Sequence, residues 1–140
     1  MDEAPRHQSA LEDASTYWDC KRAVKSYIDA GMPANKLVLG IPFYGRISFS
    51  SSPGSINYNK IIKLDTGEYK IDNWDNNASV PYVTTADGKF YCGYDNERSI
   101  AIKGEWMLSQ GMKGMMYWDY NGDDNKGTLR TAVWEATMKK

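Results

Sequence analysis

The sequence predicts an α/β fold interrupted by a small antiparallel α+β unit. Residues 36–46, K-L-V-L-G-I-P-F-Y-G-R, begin as a short apolar run rich in branched side chains. Without strict alternation, such a run reads as a parallel strand buried on both faces. Residues 113–118, K-G-M-M-Y-W, form a second run of this kind. A helical-period segment ending at a glycine precedes each run, which is the repeating step of an α/β fold. Between the two steps, residues 47–93 have the texture of short antiparallel strands.

Composition narrows the function classes. At 140 residues the chain can bury one core, with or without an insertion. A net charge of -1, from 17 basic and 18 acidic residues, argues for neither nucleic acid nor an anionic membrane as partner. Five Trp and ten Tyr suit a stiff core or a surface that stacks on a ring-shaped ligand. Cys20 and Cys92 are too few for a disulfide framework and fit no metal motif, so both read as free thiols. The single histidine, His7, excludes paired-histidine metal sites and reads as a solvated side chain in a loose N-terminal stretch. The sequence calls for no metal and no cofactor. No apolar run reaches membrane-spanning length. The polar N-terminus M-D-E-A-P-R-H-Q-S is not a signal peptide, so the chain is intracellular or has a leader outside these residues.

Taken in order, residues 16–30 form a helix with Tyr17, Cys20, Val24, Tyr27 and Ile28 on one face. Thr16 and Asp19 resemble a capping box, and Gly31 with Pro33 ends the helix. The strand at 36–43 follows. Residues 47–57 read as a loop, 58–64 as one or two helical turns, and 68–74, 80–84 and 89–94 as strands. Asp87-Gly88 marks a hairpin between the last two. The frame resumes with a helix at 96–110, capped by Asp95 or Asn96 and ended by Gly111. After the strand at 113–118, Asp119, Asp123 and Asp124 read as turn and cap residues, and the last helix is Thr128–Met138. Trp18, Trp106 and Trp134 read as helix packing residues, Met115 as core, and Lys60, Lys63 and Lys70 as a solvated face. Two parallel strands are too few for a sheet of their own. A full (β/α)₈ barrel needs about 250 residues, so the chain looks like the last quarter of a TIM barrel carrying an insertion.

These residues resemble glycoside hydrolase family 18, the chitinases. A-G-M-P-A-N-K-L-V-L-G-I-P-F-Y-G-R from Ala30 is similar to the family's sixth helix and seventh strand. G-M-K-G-M-M-Y-W-D-Y from Gly111 is similar to its eighth strand. Tyr58, Trp74-Asp75, Val80-Pro81-Tyr82 and Gly93-Tyr94-Asp95 with Ser99 and Lys103 look like landmarks of its α+β insertion and next helix. His7-Gln8-Ser9 with Leu11 weakly resembles the loop after the sixth strand.

The resemblance implies barrel segments at 1–46 and 94–140 around an α+β insertion at 47–93. It implies a β-1,4-linked N-acetylglucosamine polymer as ligand, the remainder of the barrel as structural partner, and secretion as the common setting. The implied chemistry is retaining hydrolysis assisted by the substrate's own acetamido group. Carried over, Trp118 is the floor under the sugar, Met116 lines the same pocket, and Tyr44 and Arg46 hydrogen-bond sugar groups. From the residues alone, Trp118 reads as well as a core tryptophan, and Arg46 as a partner of an acidic neighbour. The catalytic signature D-x-x-D-x-D-x-E and the M-x-Y-D segment do not occur in these residues. The expectation is therefore no catalytic residue here and no cleavage by this chain alone. Two alternatives stand beside it: a non-catalytic, lectin-like sugar binder, and an inactive structural piece that self-associates through unpaired strand edges.

Overall fold

The computed structural model describes residues 5–15, 18–49 and 54–138. Helix α1 spans Cys20–Asp29 and starts where Asp19 caps it, accepting the Arg22 N–H at 2.8 Å. The predicted helix start at 16 with Thr16 as cap is corrected: the helix begins at Cys20 and Asp19 is its cap, because the Asp19 carboxylate takes the Arg22 N–H. Thr16 and the face residue Tyr17 lie outside the described residues. Val24 is buried, but Tyr27 and Ile28 on the predicted apolar face are exposed. After a 3-10 turn at Ala34–Lys36 come β1 (Val38–Pro42), β2 (Tyr44–Arg46), β3 (Ser55–Asn57) and the single turn α2 (Tyr58–Ile61). Strands β4 (Tyr69–Asp75), β5 (Val80–Thr85) and β6 (Phe90–Gly93) lead into α3 (Glu97–Ser109), β7 (Gly114–Trp118) and α4 (Thr128–Met138).

Strands β1 and β7 pair in parallel from Val38 opposite Gly114 to Pro42 opposite Trp118. This is the predicted parallel pair, with one correction. Leu39 and Ile41 are buried, whereas Val38 is 46% exposed and Gly40 is exposed. The strand therefore has one covered face rather than two, because the described chain packs against only one side of the two-stranded sheet. The predicted loop at 47–57 also needs correction: its last three residues are β3, antiparallel to β2 with Tyr44 opposite Asn57. Three residues are too short for a period to register. Strands β4, β5 and β6 form a separate antiparallel sheet in that order. The Asp-Gly turn closes β5 onto β6, with the Gly88 N–H bonding the Thr85 carbonyl at 2.9 Å.

Of two apolar clusters among the described residues, the smaller is Ala10, Ala78 and Val80, and the larger runs through the frame. It takes Val24 from α1, Leu39 and Ile41 from β1, Ile61 from α2, Val83 from β5, Ile100 and Met107 from α3, and Leu129 and Val133 from α4. Phe43 stacks on Tyr117 at 4.5 Å between ring centres. Gly104 marks the closest approach of α3 to α4, since a Cβ there would stand 2.6 Å from the Ala136 Cβ. In an open helix Gly→Ala gains about 1 kcal/mol. Here we expect Gly104→Ala to lower the thermal midpoint, and Gly104→Ala with Ala136→Gly to recover it. A higher midpoint for the single variant would show that the helices separate freely.

Among the other tryptophans, Trp106 packs against the core, as read. Trp18 is 76% exposed and precedes α1, and Trp134 is 63% exposed on α4, so neither is buried in the core as the helix reading expects. Helical period places a residue on a face but does not say whether another element covers that face.

Candidate functional site

Both parallel strands end together, and the chain then turns outward. Pro42 stands opposite Trp118, and the Phe43 N–H bonds the Trp118 carbonyl at 2.8 Å. That pairing sets Tyr44 and Arg46 just beyond the C-terminal edge of the sheet, where α/β folds gather their chemistry. The Trp118–Asp119 peptide is cis. Met116 and Trp118, two apart on β7, share a face and are 46% and 67% exposed, while Met115 is half-buried against the core.

The four residues singled out from the sequence line one hollow of about 390 Å³, together with Gln8, Ser9, Phe49 and parts of α1 and β1. The lining is aromatic, thioether and guanidinium in character and includes no carboxylate among the described residues. Arg46 makes no ion pair among the described residues. Its fork of N–H donors is therefore available to a ligand. Such a surface can stack on a sugar ring and bond its polar substituents, and among its described residues there is no carboxylic acid to give up a proton.

The wall contributed by residues 5–15 was not legible as a site. Its anchor is polar and buried. Lys103, fully buried on α3, donates to Asp95 at 2.6 Å and to Ser9 Oγ at 2.7 Å. Ser9 Oγ donates to the other Asp95 oxygen at 2.7 Å, and Ser99 Oγ donates to Asp95 Oδ1 at 2.7 Å. Asn96 caps α3 in a capping box with Ser99. One residue before Ser9, the Gln8 carboxamide donates to the Tyr44 carbonyl. The buried pair is thus tied through Ser9 to the segment that touches Tyr44. The one available signal was the weak H-Q-S match, since such anchoring has no period.

His7 also departs from its expected place. It is not solvated: its side chain is 10% exposed, with Nε2 3.1 Å from Asp75 Oδ2 and its ring edge-on to Tyr82 and Phe90. Partial burial pushes the Asp75 carboxyl up, but hydrogen bonds from the Ala78 N–H, the His7 ring and the Asn77 N–H outweigh it and hold the group below the ordinary carboxylate value. A folded-state value below the unfolded one stabilises the fold above the unfolded value, near about 3.9, and that contribution disappears as pH falls through the folded value. Thermal midpoints measured from pH 6 to pH 2 should fall through this window, and Asp75→Asn should flatten part of the slope. An unchanged slope would remove Asp75 from the acid response.

The carboxylates after β7 are structural, as read. Asp119 accepts the Gly122 N–H, Asp123 accepts the Leu129 and Arg130 N–H groups at the start of α4, and Asp124 accepts Thr128 through backbone and side chain. Cys20 and Cys92 are both free. Burial pushes the Cys92 thiol up to about 12. Burial also raises Cys20, against the pull of the Lys103 ammonium. Among the described residues no group of three His, Cys, Asp or Glu side chains is arranged to hold a metal ion.

The family profile described as Glycosyl hydrolases family 18 matches residues 1–123. The chain belongs to that family. This family-18 chain is 31% identical over 139 residues to Chitinase A1 of Niallia circulans, an alignment covering 84% of this chain and 20% of the relative. Its fold matches the crystal structure of the cell-surface chitinase ChiW from Paenibacillus with a TM-score of 0.85 at 27% identity, covering 98% of this chain and 18% of that one. It also matches in fold the family-18 chitinase from Cycas revoluta in complex with (GlcNAc)3, with a TM-score of 0.79 at 23% identity, covering 96% of this chain and 42% of that one. The chain spans between a fifth and about a third of the length of the first curated relatives it matches.

Proposed function

We propose that this family-18 chain supplies the floor and one wall of a saccharide cleft in a chitinase-type glycoside hydrolase. Its ligand class is β-1,4-linked N-acetylglucosamine. The carrying observation is the convergence of Trp118, Met116, Tyr44 and Arg46 on one hollow at the C-terminal edge of the parallel strands. Exposure alone does not distinguish Trp118, since Trp18 and Trp134 are as exposed; what does is that Trp118 and Met116 form one apolar patch on β7 inside the hollow. The Arg46 guanidinium and the Tyr44 hydroxyl suit hydroxyl and acetamido groups around that face. In this reading, segments 1–46 and 94–140 are barrel and 47–93 is the inserted wall. The remaining strands of the barrel dock on the open edges of β1 and β7.

In substrate-assisted retaining hydrolysis an acid protonates the leaving oxygen while the acetamido oxygen attacks the anomeric carbon. D-x-x-D-x-D-x-E does not occur in these residues, and among the described residues no carboxylate lines the hollow. The role assigned to this chain is therefore holding and orienting the sugar. The same observation favours a lectin-like second reading, in which binding is the whole function. Titrating the 140-residue chain with chitotetraose, by tryptophan fluorescence with product analysis of the same tube, tests the assignment. Saturable binding without shorter sugars is expected. Cleavage would overturn the claim that no acid is present and turn attention to Glu68, Glu97 and the carboxylates at 119–124. Absence of binding would refute the cleft reading for this chain.

A further inference from the structure

We propose that the chain carries a second ligand site, beside the sugar hollow, that takes a negatively charged unit of an acidic saccharide. This rests on the sugar-cleft reading and extends its substrate class. A hollow of about 600 Å³ lies between α2 and the loop that follows β7, lined by Lys60, Lys63, Lys126, Asn57, Asn59 and Asn121 with Asp124. Among the described residues none of the three ammonium groups is ion-paired. Asp124 is the one carboxylate in the lining, and its oxygens are already engaged, by the Lys126 and Thr128 N–H groups and by the Thr128 hydroxyl. Those donors leave its charge in place, but three lysines against one aspartate still make the lining net positive.

Asn59 adds the second observation. Its Nδ2 donates to the Asn121 carbonyl at 2.7 Å and to the Asp123 carbonyl at 3.0 Å. Those two bonds fix the orientation of the carboxamide, because a flipped amide would set its oxygen against two carbonyl oxygens. The Asn59 Oδ1 is thereby left buried with no donor from the protein. The exposed carboxamides of Asn57, Asn121 and Asn125 in the same lining offer further donors and acceptors to a ligand. Unpaired ammonium groups beside an acceptor and several carboxamides match a molecule that carries both an anionic group and hydroxyl or acetamido groups.

The position connects the two hollows. Asn57 stands directly opposite Tyr44 in the β2–β3 ribbon, and paired residues of an antiparallel ladder project from the same face. Asn121 lies in the turn that closes β7 after Trp118. A saccharide seated over Trp118 can therefore extend past Tyr44 toward Asn57 and the lysines. A neutral polymer gives these cations no partner, and an acidic one does.

The test compares chitotetraose with the tetrasaccharide alternating N-acetylglucosamine and N-acetylmuramic acid, titrated into the 140-residue chain at low and at high salt. The acidic probe should bind about fivefold to tenfold more tightly at low salt, and the preference should vanish near 1 M salt, where the screening length is about 3 Å. Lys60→Gln with Lys126→Gln, both on the surface, should abolish the preference and leave chitotetraose affinity unchanged. Equal affinity for the two probes, or a preference indifferent to the lysine changes, would overturn the second site while leaving the sugar cleft standing. Chitotetraose binding that fails, or that ignores Trp118→Ala, would instead bring down the cleft reading itself.

Discussion

Lys103→Ala is expected to cost about 3–5 kcal/mol of folding stability, the largest loss of any single change considered. The ammonium and the Asp95 carboxylate are both fully out of water. Removing one leaves the other buried without its counter-charge, which is far more costly than the net worth of the pair. Ser9 and Ser99 cannot compensate, because hydroxyls hydrogen-bond a charge but do not neutralise it. Against a typical total of about 5–15 kcal/mol, this loss puts the variant near its unfolding threshold. Chemical denaturation of the variant and of Lys103→Ala with Asp95→Ala separates two explanations. A double variant more stable than the single one shows that the stranded charge is the cause. Equal losses would mean that the lysine stem and its packing carry the effect.

The second large effect concerns binding rather than folding. Trp118→Ala should weaken chitotetraose affinity by about thirtyfold, or about 2 kcal/mol, the scale of a central aromatic contact. Its stability should change by no more than about 0.5 kcal/mol, because the indole is 67% exposed and little of its surface supports the core. Those opposite magnitudes distinguish a ligand platform from a packing residue. A strongly destabilised Trp118→Ala with unchanged affinity would return the residue to the core reading. Isothermal titration and denaturant melts on the same preparation measure both quantities.

The parts of the fold read from the sequence share one property: each is specified by neighbours in the chain. The helix ends at Gly31 and Gly111 take positive φ, at 96° and 67°, a conformation glycine adopts without a steric penalty. The Asp-Gly hairpin, the Asn96 cap and the carboxylate turns after β7 are likewise short-range devices. The spacing of Met116 and Trp118 on β7 placed them together because alternation in a strand is a local rule.

What failed depended on contacts between segments far apart in the chain. His7 was read as loose because nothing near it is apolar, yet Asp75, Tyr82 and Phe90 enclose it. Strand β3 exists because β2 offers it a ladder. The strand at 36–43 was read as doubly buried because its residues are apolar, and apolarity cannot tell a covered face from an uncovered one.

The sequence by itself determined the alternation of helix and parallel strand, the Asn96 cap, the glycine-ended helices and the turns, the family, and the identity of the residues that meet at the end of β1 and β7. Only the tertiary structure decided which faces are covered, that Ser9 and Gln8 brace the hollow through a buried lysine, and that three ammonium groups with no ion pair among the described residues gather in one hollow beside Asn59. The physical reason is that period and capping arise from bonds within a few residues, whereas burial and charge pairing are properties of the surroundings. Those surroundings are assembled only when Ser9 meets Lys103 and Asn59 meets Asn121 across most of the chain.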